Sequence, residues 1–195
     1  MTLRNQSKEI DEQKLAYWTE IVKNQQKYIY NLAYRLSGNQ YEADDLTQET
    51  FLKAFEHLPE FRQEASIRTW LSRIATNTFL AKKRKKTAHK SITLEIIPTS
   101  DSSSNPEKVV IRRELQWCIH HILQQHLGKS HSVLLVLRDL NGFSYNEIAK
   151  MLNLSVSTVK SRLYRARKSY KDHLIKTGCA GLVDDYSCYC EGVRN

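Results

Sequence analysis

The sequence predicts an all-α protein made of two small helical domains joined by a flexible linker. Three observations carry this reading. Apolar residues recur at helical spacing along almost the whole patterned length. Only 6 Gly and 3 Pro occur in 195 residues, too few for a turn-rich β fold. One polar, low-complexity stretch, PTSDSSSNP at residues 98–106, breaks the pattern and cannot bury enough apolar area to offset its ordering entropy. The expected division is a first domain at 13–90, a linker at 91–108, a second domain at 109–176 and a cysteine-containing tail at 177–195. Each domain is long enough for a modest core.

In the first domain, residues 1–12 are polar and expected to fray. Leu15, Trp18, Ile21, Val22, Tyr28, Ile29, Leu32, Ala33 and Leu36 follow a helical stripe. Ser37-Gly38-Asn39 ends it, since glycine readily takes the left-handed conformation at a helix end. Residues 41–57 start again with Glu42, Asp44 and Asp45 in the first turns, where the helix dipole favours acids. Leu46, Phe51, Leu52, Ala54 and Phe55 are the expected apolar stripe, and Pro59 closes the helix. A polar connection at 60–66 leads to a helix over 67–86 with Trp70, Leu71, Ile74, Ala75 and Phe79 on its buried face. Arg68, Arg73, Asn77 and Lys82 fall on other faces, and the helix runs into Lys82-Lys83-Arg84-Lys85-Lys86. Such a cationic run suits a helix C-terminus, and it suits phosphates as well.

Helical periodicity resumes at Val109 with Val110, Leu115, Cys118, Ile119, Ile122 and Leu123, and ends near Leu127-Gly128. A helix over 131–140 carries Val133, Leu134, Val136, Leu137 and Leu140 before Asn141-Gly142 turns the chain. Ser144, with Glu147 three residues on, forms a capping box that opens a helix with Ile148, Ala149 and Leu152 inward. Asn153 and Leu154 interrupt it, and Ser155 offers the next N-cap oxygen. Val159, Leu163 and Ala166 form the inner face of the following helix; Thr158, Lys160, Ser161, Arg162, Tyr164, Arg165 and Arg167 form its outer face. Two short helices around a tight polar turn, the second basic and hydroxyl-rich, read as a helix-turn-helix that lays its second helix in a DNA major groove. That helix continues to about Lys176, and Gly178 terminates it.

The charge agrees. A net charge of +9 points to a polyanionic partner, most simply nucleic acid. No apolar run reaches the ~18 residues that span a bilayer, and the opening MTLRNQSKEIDEQK lacks the apolar core of a secretory signal. The chain is therefore expected in the cytoplasm. No clustered carboxylates, glycine-rich phosphate loop or Ser/His/Asp set supports an enzyme, and no cofactor is expected. Of the four cysteines, Cys118 reads as a small core residue. The trio Cys179, Cys188 and Cys190 does not read as a disulfide framework in a reducing compartment. With Asp184, Asp185 and His173 nearby, the trio is open to three readings, a soft-metal site, a redox sensor or free thiols.

Two separated segments point to one family. Residues 36–77 (LSGNQYEADDLTQETFLKAFEHLPEFRQEASIRTWLSRIATN) resemble region 2 of an extracytoplasmic-function (group IV) sigma factor of bacterial RNA polymerase. Residues 133–168 (VLLVLRDLNGFSYNEIAKMLNLSVSTVKSRLYRARK) are similar to region 4 of the same family. A helix-turn-helix alone is common to many regulators, so the specificity lies in finding both halves, in this order, on one chain.

The resemblance implies a role for each part. Asp44, Asp45, Gln48 and Glu49 would dock on the clamp helices of the largest polymerase subunit. Arg62 and Ser66 in the connecting loop, with Arg68, Trp70, Arg73 and Asn77, would grip the promoter −10 element, one non-template base being flipped into a pocket. In region 4, Lys160, Ser161, Tyr164 and Arg165 match positions that contact −35 DNA, Thr158 shares their face, and Arg138 matches a backbone-contacting arginine. Arg165 or Arg162 suits a bidentate guanine contact, while Lys160 and Arg167 suit phosphates. The linker, with Glu95 and Asp101, would thread towards the RNA exit path. The expectation is a factor that binds core polymerase and directs promoter-specific initiation under a stress, envelope or metal signal, with an anti-sigma factor as a candidate partner. The alternative is a helix-turn-helix repressor or activator acting without polymerase. Two departures from the family pattern stand out. Leu127-Gly128-Lys129 replaces the usual Leu-Pro, and the tail after Gly178 is not part of that pattern.

Overall fold

The computed structural model describes residues 2–61, 65–85 and 118–177. Arg62, the expected linker with Glu95 and Asp101, residues 109–117, and Cys179, Cys188 and Cys190 lie outside the described residues. The chain divides into two compact units, Met1–Ile92 and Thr93–Asn195. Among the described residues every regular element is helical.

The first unit packs three helices pairwise: α1 (Thr2–Ser37), α2 (Gln40–His57) and α3 (Ile67–Lys85), with a tight turn at Leu58–Glu60 after α2. Gly38 closes α1 at φ 77° and donates its amide to the Tyr34 carbonyl at 2.8 Å, as a left-handed helix end requires. Asn39 then caps α2, its side-chain oxygen accepting from the Glu42 amide at 3.0 Å. Ala33, Ala43, Ala54 and Ala75 are fully buried; small side chains at these points let the helices approach closely. Ile29, Leu32, Leu46 and Leu71 fill the space between them. Trp18, Phe51 and Ile74 close over part of this core, together with Tyr28 and Trp70.

Two expectations for this unit need correction. α1 begins at Thr2 instead of fraying through residue 12, because extending an existing helix needs no apolar face, only tolerable helix formers. The stripe of α2 is also turned: Ala43, Leu46, Thr47, Thr50 and Ala54 face inward, while Leu52 and Phe55 are 66% and 49% exposed. Thr47 and Thr50 can be buried because their hydroxyls bond the carbonyls of Ala43 and Leu46 at 2.7 and 2.6 Å, which removes the penalty of an unpaired polar group.

The second unit holds α4 (described from residue 118, its last turn Ile122–His126 widened), α5 (Lys129–Leu135, continued by a widened turn at Val136–Leu140), α6 (Tyr145–Leu152) and α7 (Val156–Lys176). α7 packs on α4, α5 and α6, burying Val159, Leu163 and Ala166 against a core that includes Ile122, Leu134, Leu137 and Ile148. Gly128 adopts φ −60° and ψ 141°, the φ that a proline ring would impose. The backbone at Gly128 is therefore one that a proline could also adopt.

Within α6, Ile148 and Ala149 are buried as expected, but Met151 is buried and Leu152 only half-buried. Spacings of three and four both return to one helix face, and the approach of α7 selects the former. Cys118 is buried, as expected of a core residue, but it is disulfide-bonded. Cysteine spacing alone does not set pairing, so this bond has no signature in the sequence.

Candidate nucleic-acid interface

The helix-turn-helix is built by local chemistry that the sequence spells out. Ser144 and Glu147 form both halves of the capping box: the Ser144 amide donates to Glu147 Oε2 at 2.8 Å and the Glu147 amide to Ser144 Oγ at 3.2 Å. Asn153 turns the chain in the left-handed conformation, φ 53°, which asparagine tolerates better than most residues. Ser155 caps α7, accepting from the Thr158 amide at 3.1 Å. The exposed face of α7 then presents Lys160, Ser161, Tyr164, Arg165 and Lys168 to solvent, with Thr158 and Arg162 half-buried at its edges. Tyr164 is 71% exposed. An exposed aromatic ring among cations suits a nucleic-acid surface better than a solvated one.

Beside this face, Tyr145 at the start of α6 is flanked by two cations. The Arg138 guanidinium lies 4.6 Å and the Lys160 ammonium 5.7 Å from its ring centroid, within the range of a cation–π contact. Arg138 also donates to the Phe143 carbonyl at 2.9 Å. Arg167, assigned to phosphates by its type, is occupied: its Nε donates to Asp139 at 3.1 Å and its Nη2 bonds the other carboxylate oxygen. The hydrogen bonds it donates to Asp139 hold its pKa above the ordinary arginine value against the opposing effect of burial.

In the first unit, Ser66, Trp70, Arg73 and Asn77 recur at spacings of four, three and four, so they form one row on α3. Ser66 caps that helix through the Thr69 amide at 3.1 Å, and Trp70 packs its ring 4.9 Å from that of Phe61. Arg84 continues the row on the exposed side. Arg68 does not belong to it. Its guanidinium lies 4.5 Å from the Tyr28 ring centroid and reaches Gln25 on α1.

The cationic cluster divides likewise. Lys82 pairs with Glu49 at 2.6 Å and with Asp45, and Lys83 pairs with Glu42 at 2.8 Å. These two lysines face α2 and serve its acids in place of phosphates. Glu49 is held further by Lys53 at 2.7 Å. Asp44, Asp45 and Gln48 remain exposed on α2, in one stripe with Tyr41, Leu52 and Phe55, which are 76%, 66% and 49% exposed.

Family comparison matches the two halves separately: Sigma-70 region 2 at residues 21–89 and Sigma-70 region 4 at residues 126–169. The chain is 30% identical over 183 residues to the ECF RNA polymerase sigma factor SigW of Bacillus subtilis, covering 89% of this chain and 97% of that protein. It belongs to the ECF sigma factors. SigE of Mycolicibacterium smegmatis, another ECF RNA polymerase sigma factor, is 35% identical over 171 residues, which cover 85% of this chain and 65% of SigE. Among solved structures, the sigma factor RpoE from Bartonella quintana, in complex with the anti-sigma factor NepR, has the same fold. The TM-score is 0.63 at 22% identity, covering 80% of this chain and 95% of that one.

For an ECF sigma factor, then, most candidate residues fall into three surfaces: the stripe on α2, the row on α3 and the outer face of α7. Arg68, Arg138 and Arg167 lie apart from them. Sequence reasoning missed Tyr145, Asp139 and the apolar members of the α2 stripe. Tyr145 had a detectable signal, being an aromatic residue just inside a capping box. Asp139 had none, since its partner lies 28 residues away.

Proposed function

We propose that this sigma factor docks on core RNA polymerase through α2 and places promoter DNA against α3 and α7. The observation that carries the reading is the exposed stripe of α2, where Leu52 and Phe55 stand outside the core beside Asp44, Asp45 and Gln48. Apolar side chains rimmed by acids mark a protein-binding surface, and basic clamp helices are complementary to it. The row Ser66, Trp70, Arg73 and Asn77 would take the opened −10 strand, Trp70 offering a stacking plate. The outer face of α7 would read the −35 element, with Arg165 or Arg162 on guanine and Lys160 on phosphate.

Bond-making belongs to the polymerase; the chain supplies placement and is not itself an enzyme. The chain acts in the cytoplasm, where polymerase and promoter are. An anti-sigma factor that covers the α2 stripe is the simplest regulator. Run-off transcription with core polymerase on fragmented host DNA tests the proposal. Discrete transcripts that depend on this chain support it; binding that only blocks transcription would favour a repressor instead.

A further inference from the structure

A carboxylate beside a DNA-contacting face should weaken binding, because it repels the backbone phosphates. Asp139 is adjacent in sequence to Arg138 and lies on the edge of the region 4 surface, so it needs another reason to be there. Its two oxygens take the Nε and Nη2 donors of Arg167, a bidentate geometry that fixes orientation as well as distance. Arg167 and Lys160 stand about two turns apart on the same helix, α7. Tyr145 in turn sits against both Arg138 and Lys160. The contacts form one connected set that runs from the turn after α5, through α7 and α6, back to the cations.

We propose that Asp139 is a positioning residue of the DNA-reading module: through Arg167 it seats α7 and Tyr145 so that Arg138 and Lys160 meet the DNA backbone together. Arg167 spends its fork on Asp139 and holds no phosphate. The inference rests on the DNA reading proposed above.

The test uses the full chain assembled with core polymerase and a labelled duplex selected from a random pool by the wild-type assembly. Neutralising a repulsive acid would tighten binding; losing a positioning residue weakens it. Asp139→Asn is expected to weaken binding about tenfold, the effect of one charge-assisted hydrogen bond, at an unchanged slope of log affinity against log salt. Asp139→Glu is expected to recover most of the loss, and Asp139→Asn combined with Arg167→Gln to be no worse than either alone.

Arg167→Lys keeps the charge without the fork and gives an independent arm: weaker binding at unchanged slope supports positioning, and unchanged binding opposes it. Circular dichroism melts separate misplacement from misfolding. Tighter or equal binding by Asp139→Asn overturns the inference, as does a slope that falls by ~0.9 in Arg167→Gln, the mark of a lost phosphate contact. Failure of the wild-type assembly to select any duplex would instead overturn the DNA reading, and this inference with it.

Discussion

Lys82 Nζ lies 2.6 Å from the Glu49 carboxylate and also bonds Asp45, so the end of α3 neutralises part of the acidic face of α2. This joins the helix proposed to meet the polymerase to the helix proposed to meet −10 DNA. Lys82→Met is expected to destabilise the first unit by ~0.5–1 kcal/mol, because these side chains are partly exposed and solvent screens them. A thermal melt that shifts by several times that amount would show that the pairing does more than bridge two surfaces.

The same contact predicts a pH dependence. Burial alone would raise the Glu49 pKa, but hydrogen bonds and charges from Lys53 and Lys82 outweigh it and hold the carboxyl below its ordinary value. A depressed carboxyl contributes stability above its unfolded value and loses it as pH falls through the folded value. The Lys82 pKa is subject to lowering by burial, but Asp45 and Glu49 raise it overall, so its contribution is complete below the ordinary lysine range and fades above it. Melting temperatures followed from neutral to acid pH should fall in wild type, with a smaller acid-side loss in Lys82→Met. Parallel curves for the two proteins would refute the assignment.

Leu52→Glu is expected to cut affinity for core polymerase by at least about tenfold while moving stability by less than ~0.5 kcal/mol, since an exposed position has little packing to lose. Asp45→Arg should abolish co-purification with core polymerase while the first unit stays folded. Either variant co-purifying normally would remove α2 from the interface.

Arg165→Ala should lower occupancy of the upstream promoter element by a factor corresponding to ~1–3 kcal/mol, with polymerase binding unaffected. Lys160→Ala should weaken binding to all sequences alike and reduce the salt slope by about 1. Footprints unchanged by Arg165→Ala would take that residue out of base reading.

Cys118 is disulfide-bonded, and the chain's other cysteines are Cys179, Cys188 and Cys190. Peptide mapping without reductant is expected to recover Cys118 joined to one of these three. Reduction should lower stability by ~2–4 kcal/mol, as usual for opening a long loop. Quantitative alkylation of Cys118 in the unreduced, unfolded chain would contradict the bond.

What the sequence determined alone was everything set within about one helical turn. The capping box at Ser144 and Glu147, the N-cap at Ser155, the helix end at Gly38 and the inward row Val159, Leu163 and Ala166 all depend on hydrogen bonds or spacings between near neighbours. Those choices made the helix-turn-helix legible and, with residues 36–77, the family. Tertiary structure decided which side of each helix is spent internally. α2 turned Leu52 and Phe55 outward, Lys82 went to Asp45 and Glu49, Arg68 to Tyr28, and Arg167 to Asp139. These partners are dozens of residues apart, and any basic residue on an outer face looks equally suited to a phosphate. Only the packing of one helix on another chooses, because charge and periodicity specify a surface without saying what will lie against it.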